Sequence, residues 1–357
     1  MDGMNYAPVF SGTAAKVVGP GEFRFSVIGL DHGHVFAMTN GLLEAGAEIV
    51  GVYDDDRKKA EAFTERYPGV RLMEREEILS DNSIQLVVSA IRPDRRAGLG
   101  MEVMERGKHY FCDKPGMLKR KELEEVRKAC RRTGKKYMVY FGERVHVEGA
   151  VYAERLIKEG RIGRVVAINI MAPHRLNAPT RPEWFFDPER NGGILVDIGS
   201  HQYEQLLSYT GSKKAEVRYS AKGNKNTKDH PEFEDFGEAV IETDSGASCF
   251  VRVDWFTPDG LGAWGDGRVF IIGTEGTIEI RKYINVAESR TGDHVYIVDK
   301  EGERHEEVTG KTGFPFFGEF ILDCMNGTDT AMDEEHVLES MRLAIEAEEK
   351  AEKTGGR

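Results

Sequence analysis

The 357-residue chain is short of cysteine, has no surplus of positive charge and contains no long apolar run, and each shortage removes a class of protein. Its four cysteines, Cys112, Cys130, Cys249 and Cys324, include no close CxxC pair. That excludes a zinc ribbon or a dense disulfide framework and fits a reducing, cytoplasmic setting. Acidic residues outnumber basic ones by 61 to 49, a formal charge of -12, so no broad basic surface is expected to attract nucleic acid or anionic membrane. No apolar stretch approaches the length of a membrane span. Residues 1 to 22 lack signal-peptide character and read as a poorly ordered leader. There is no internal repeat and no low-complexity linker. What remains is a soluble globular chain, 40% hydrophobic and too long for one core. Two domains are expected, over residues 23–145 and 146–357.

The first domain opens with a strand, Phe23 to Ile28, that runs into Gly29-Leu30-Asp31-His32-Gly33-His34. A helix pattern from Val35 to Glu44 follows, then a strand from Ala47 to Tyr53 closed by Asp54-Asp55-Asp56, and a charged helix from Arg57 to Arg66. This β-α-β order suits a dinucleotide: a tight turn lets a helix N-terminus meet the pyrophosphate, and an acid at the end of the next strand accepts from the ribose hydroxyls. Asp54 stands where that acid belongs and favours NAD, while Arg57 leaves room for NADP. The glycine signature is partial, because Asp31 and His34 occupy its second and third glycine positions. Asp31 is expected to cap the helix. His32 and His34 are candidates for phosphate contacts, too few by themselves for a metal site.

Alternation continues through strands at Ile84 to Ala90, His109 to Cys112 and Lys136 to Tyr140, with helices at Asp94 to Arg106 and Lys119 to Arg132. Five strands separated by helices predict a doubly wound parallel sheet of the Rossmann type. In such sheets ligands lie beyond the carboxyl ends of the strands, which brings Ala90, Pro93, Asp113 and Lys114 to the cleft.

After a helix at Val147 to Lys158 the pattern changes to strands joined by turns, at Val165 to Met171 and then repeatedly between Ala215 and Val308. An α+β domain with a large, mostly antiparallel open sheet is expected, closed by helices at Pro315 to Met325 and Asp333 to Lys353. Inserted after its first strand is Gly192-Gly193-Ile194-Leu195-Val196-Asp197-Ile198-Gly199-Ser200-His201. Read as one helix, this puts Asp197 and His201 one turn apart on the same face, with Glu204 and Ser208 continuing the line. A polar stripe is usually a wet face, but the apolar arc here is broad and the glycines suit close approach of a ligand. Arg144, His174, Arg175 and Trp184 are further cleft candidates, although Trp184 also suits a core edge.

Asp113-Lys114-Pro115 and Gly192-Gly193-x-x-x-Asp197-x-x-x-His201 resemble the two later motifs of the glucose-fructose oxidoreductase and inositol dehydrogenase family, over residues 22 to 350. Two departures stand out: Asp113 replaces a glutamate, and the glycine turn is atypical. The resemblance implies that Lys114 and His201 flank a reacting carbon, that Asp197 orients substrate and histidine, and that the open sheet makes dimer or tetramer contacts. The activity it implies is NAD-dependent hydride transfer between nicotinamide and a secondary alcohol or ketone of a sugar, cyclitol or related polyol. His201 would take the hydroxyl proton and Lys114 would stabilise the alkoxide. Other readings are a non-catalytic NAD(P) sensor, an enzyme that oxidises only transiently to drive elimination or glycoside cleavage, and a metal site of His174, His201 and Asp197.

Overall fold

The computed structural model describes residues 16–355. Its first half is built on β1 (Arg24–Ile28), β2 (Glu48–Tyr53), β3 (Arg71–Leu72), β4 (Leu86–Ser89), β5 (His109–Asp113) and β6 (Tyr137–Tyr140). They form one parallel sheet in the order β3-β2-β1-β4-β5-β6. Every residue of β4, β5 and β6 is buried, as expected of parallel strands covered by helices on both faces. The sixth strand, β3, is two exposed residues with no hydrophobic pattern to announce it. The chain reverses its direction of travel across the sheet between β1 and β4, which leaves a crevice beyond their carboxyl ends.

The second sheet has nine strands: β7 (Val165–Pro173), β8 (Ala215–Gly223), β9 (Phe236–Thr243), β10 (Ser248–Asp254), β11 (Arg268–Gly273), β12 (Thr277–Arg281), β13 (His294–Asp299), β14 (Gly302–Glu307) and β15 (Glu352–Lys353). It is mostly antiparallel, with parallel pairing only of β7 with β10 and β8 with β15. Alternation sends Ile168, Ile170, Val251, Val253, Ile278 and Ile280 into the core. The opposite face leaves Phe270, Ile272, Tyr219 and Val298 more than a third exposed.

Three expectations are corrected. Residues 1–15 of the leader lie outside the described residues, but Val17 donates to the Ala45 carbonyl at 2.9 Å and Val18 is buried, so residues 16–22 pack on the domain. The final helix ends at Lys350 rather than Lys353, because residues 352–353 pair with β8. The central stretch is two helical segments, Ile194–Asp197 and Gly199–Thr210. The ladder tightens between them, where His201 N–H donates to the Ile198 carbonyl three residues back at 3.1 Å. Gly193 begins the stretch at φ 83°, and a Cβ there would collide with the carboxylates of Glu348 and Glu234.

Candidate active site

The nucleotide end of the crevice is shaped by the turn after β1. Gly29 has φ 89°, and a Cβ on it would lie 2.6 Å from Ile91 Cβ, so only glycine fits between the ends of β1 and β4. Ala90 N–H donates to the Gly29 carbonyl at 3.1 Å and locks these ends together. Asp54 accepts from Leu30 N–H at 2.6 Å and from Asp56 N–H at 2.8 Å. Burial raises its carboxyl above the usual range, partly countered by those two donors. Asp31 does not cap the following helix: it accepts from Arg92 N–H at 2.9 Å and Lys59 Nζ at 2.6 Å, which turns its charge away from the helix end. The helix His34–Glu44 starts after Gly33 with no side-chain cap. A glycine cradle, an uncapped helix start and an acid after β2 fit a dinucleotide. Bound there, it supplies the hydride acceptor or donor.

Toward the second domain, the crevice becomes a pocket that Lys114, Asp197 and His201 share. Lys114 follows β5, and its Nζ lies 2.8 Å from Asp197 Oδ1. Burial works to raise the Asp197 carboxyl, but the Lys114 ammonium holds it below the usual range. His201 is 1% exposed, and its Nδ1 has no hydrogen-bond partner among the described residues. Burial pushes its pKa well down, so the imidazole is neutral. Asp197, expected to orient both substrate and histidine, is turned through Oδ1 to Lys114 and makes no hydrogen bond to His201 among the described residues.

Asp113 is also placed differently from a cofactor ligand. Its two oxygens meet His34 Nδ1 and His32 Nδ1, each at 2.8 Å, and Arg96 Nη2 at 3.2 Å. Burial would raise this carboxyl, but His34, Arg96 and His32 together hold it well below the usual range. The Lys114–Pro115 peptide that follows is cis.

Of the further cleft candidates, His174 and Trp184 reach the pocket, as does Pro93. Trp184 also borders the nucleotide end of the crevice. Arg144 does not belong to the site: its guanidinium is buried between Glu204 and Glu154, with Nε 2.7 Å from Glu204 Oε1 and Nη1 2.7 Å from Glu154 Oε2. Those pairs consume the polar stripe beyond His201, because Glu204 also meets His336 Nε2 at 3.1 Å and Ser208 Oγ at 2.9 Å. Arg175 does not line the pocket: its Nη2 donates to the Pro258 and Leu261 carbonyls at 3.0 and 2.7 Å, and its buried Nε has no hydrogen-bond partner among the described residues. The His174, His201 and Asp197 metal set is not formed: Asp197 is held by Lys114, and His174 Nδ1 faces the Ala172 carbonyl at 3.1 Å.

The residue beside Arg144 is the one the pocket uses. Glu143 accepts from Lys282 Nζ at 2.8 Å and Gln202 Nε2 at 3.1 Å, and its Oε1 stands 3.5 Å from His174 Nε2. It follows the carboxyl end of β6, so the strand-end rule that selected Lys114 also points to it. Trp255, Trp264 and Tyr283 form an aromatic wall. Trp264 lies in a glycine-rich loop whose sequence carries no periodic signal.

A nucleotide crevice joined to a pocket with a lysine, a carboxylate and neutral imidazoles defines a dinucleotide-dependent oxidoreductase. Residues 17–141 match the oxidoreductase family with an NAD-binding Rossmann fold, and residues 151–279 match the GFO/IDH/MocA C-terminal domain. The chain belongs to this GFO/IDH/MocA oxidoreductase family. It is similar to a solved oxidoreductase from Erwinia carotovora atroseptica, 40% identical with a TM-score of 0.91, the match covering 94% of this chain and 100% of that one. It also resembles scyllo-inositol 2-dehydrogenase (NAD(+)) of Bacillus subtilis, 27% identical over 297 residues, or 80% of this chain and 82% of the relative. With 1,5-anhydro-D-fructose reductase of Ensifer adhaerens it shares 26% over 178 residues, 48% of this chain and 52% of that relative.

Proposed function

We propose that this protein transfers a hydride between NAD and a secondary alcohol or ketone of a cyclitol, sugar or related polyol. The observation that carries the reading is the Lys114–Asp197 pair, which brings one residue from each half of the chain to a single pocket beside His201. Lys114 presents a cation to the oxygen of the reacting carbon and stabilises alkoxide character as the proton leaves. Neutral His201 accepts that proton, a step worth about 10² to 10⁴ in rate. Asp197 holds Lys114 in place and offers its remaining oxygen to a substrate hydroxyl. In the pocket, Glu143 is matched by Lys282 and Asp197 by Lys114, which leaves little net charge and suits an uncharged polyol. The dehydrogenase and reductase names of the relatives agree with this substrate class.

The same reading divides the chain into a dinucleotide-binding domain, 23–145, and a substrate and assembly domain, 146–357. The partly exposed apolar face of the second sheet is proposed to pair copies into a dimer or tetramer. Four free thiols support a cytoplasmic setting, and no helix among the described residues is long and apolar enough to cross a membrane. A panel of cyclitols, sugars and their keto forms, assayed with NAD and NADP by the near-ultraviolet absorbance of reduced nicotinamide, tests the function. Turnover with at least one polyol and a preference for NAD is expected; no redox turnover across the panel rejects it.

A further inference from the structure

Oxidising an alcohol releases one proton, and the residue placed to take it has no way to hand it on by itself. His201 is 1% exposed, and burial, helped by the Lys114 charge, outweighs the attraction of the Glu143 carboxylate in keeping a proton off it. Turnover therefore needs a neighbour that accepts the proton and reaches water. The rings around His201 are Phe141, at a centroid distance of 6.4 Å, and His34, at 6.3 Å. Of the other titratable groups that act on His201, Glu143 is paired to Lys282 and Gln202, Lys114 to Asp197, and His174 Nε2 faces Glu143, which leaves His34 as the group placed to take the proton.

His34 is built for that task in a way His201 is not. A carboxylate only accepts, so the 2.8 Å contact between His34 Nδ1 and Asp113 Oδ1 places the ring proton on Nδ1 and leaves a lone pair on Nε2. His32 makes the matching contact to Asp113 Oδ2, again at 2.8 Å. Neither Nε2 has a partner among the described residues, both rings line the pocket, and both side chains are 12% exposed. Asp113 is itself anchored by Arg96 and by Lys114 N–H at 2.7 Å, so the carboxylate does not move when an imidazolium forms beside it. The His34 and His201 ring centroids are 6.3 Å apart, so transfer between them runs through bridging water.

Resting on the dehydrogenase reading, we propose that His34, backed by Asp113, is a relay residue that takes the substrate proton from His201 at Nε2 and releases it to solvent. In the oxidative direction the hydroxyl O–H bond breaks to His201 and the C–H electron pair leaves as hydride to the nicotinamide. The proton then passes from His201 to His34 and on to water; reduction runs the same path backward. The replacement of the third glycine of the turn by His34 is thereby explained as a catalytic adaptation. The 2.8 Å nitrogen–oxygen contacts are hydrogen-bond lengths, shorter than the separation of about 3.4 Å between two ligands 2.1 Å from a tetrahedral ion, so the trio is not assigned to a metal.

The test is His34→Gln, which keeps a donor for Asp113 and cannot accept a proton. With NAD and whichever polyol the wild type oxidises, kcat is expected to fall about 10²-fold. The KM for NAD should change by less than about threefold, the pH-rate profile should change shape, and added imidazole should restore part of the rate. An unchanged kcat and pH profile overturns the relay, as does a loss that imidazole leaves untouched and that NAD binding matches. So does a stoichiometric divalent ion in the purified protein that His34→Gln removes. Failure of the dehydrogenase reading looks different, because the wild type itself then reduces no nicotinamide. Long-range proton–nitrogen NMR of the wild type supplies a readout free of turnover: the relay requires the His34 proton on Nδ1, and a proton found on Nε2 overturns it.

Discussion

Lys114 Nζ lies 2.8 Å from Asp197 Oδ1, which ties the end of a parallel strand in the first half of the chain to the end of a helical turn in the second. The side chains are 7% and 15% exposed. Such a pair is shielded from solvent enough to depend strongly on both members, and removing one leaves the other charged and buried. It ties the two sides of the pocket together and, on the proposed mechanism, places the cation that faces the reacting oxygen.

Lys114→Met is therefore expected to lower kcat by about 10² to 10³, because the developing alkoxide loses its cation. The Asp197 carboxyl should also rise toward the neutral form once the ammonium is gone, since burial alone pushes it up. Steady-state kinetics check the first effect, and carboxyl NMR titration the second. Turnover equal to wild type would remove Lys114 from the mechanism.

Asp54→Ala should weaken NAD by about tenfold and narrow the preference over NADP. The acid supports the turn through Leu30 N–H at 2.6 Å and would repel a 2′-phosphate. Fluorescence titration with both reduced cofactors measures the ratio. An unchanged ratio would show that selectivity lies elsewhere in the crevice.

Arg144→Met should destabilise the fold by about 3 to 5 kcal/mol, because Glu204 keeps its charge in a site that is 0% exposed. The KM for substrate should not change in the folded fraction. Urea unfolding and kinetics separate the two. A raised KM at normal stability would return Arg144 to the substrate site.

Stability should peak near about pH 6.5, the ordinary histidine value. Burial lowers His32, His109 and His174 to about 4, His146 to about 3 and His201 well below its ordinary value, so these five are neutral in the folded state and charged in the unfolded chain below about pH 6.5. Burial raises Glu44 and Asp293 to about 7 and Glu348 to about 8, so these three hold extra protons when folded. Among the groups shifted furthest, five histidines outweigh three carboxyls between the ordinary carboxyl and histidine values; the unfolded chain binds more protons, and stability falls on acidification. Between about pH 6.5 and 8 only the carboxyls count; the folded state binds more protons, and stability falls as pH rises. Thermal unfolding across pH 5 to 9 should trace this dome, and a melting temperature that climbs steadily to pH 9 would contradict it.

Much of the site was legible because strand ends and short motifs are local. Lys114 was placed by following β5, and Asp197 and His201 by their spacing after two glycines. Arg144 looks like a ligand-binding arginine in sequence, because a buried ion pair looks the same until the acids from other elements are known; here those acids are Glu204 and Glu154. Glu143 beside it is hidden for the same reason, since its partner Lys282 follows β12, 139 residues further along the chain. Asp113 resembles a cofactor contact by its place at a strand end, yet its carboxylate serves two histidines 79 and 81 residues earlier.

The amino-acid order by itself determined the alternation of strand and helix, the glycine turn after β1 and the arrangement of two unlike halves, because these follow from periodicity and backbone freedom within a few residues. Only the tertiary structure decided which charges were spent on one another and which faced the pocket. A carboxylate is satisfied by whatever cation reaches it first in space, and distance along the chain says nothing about which one that is.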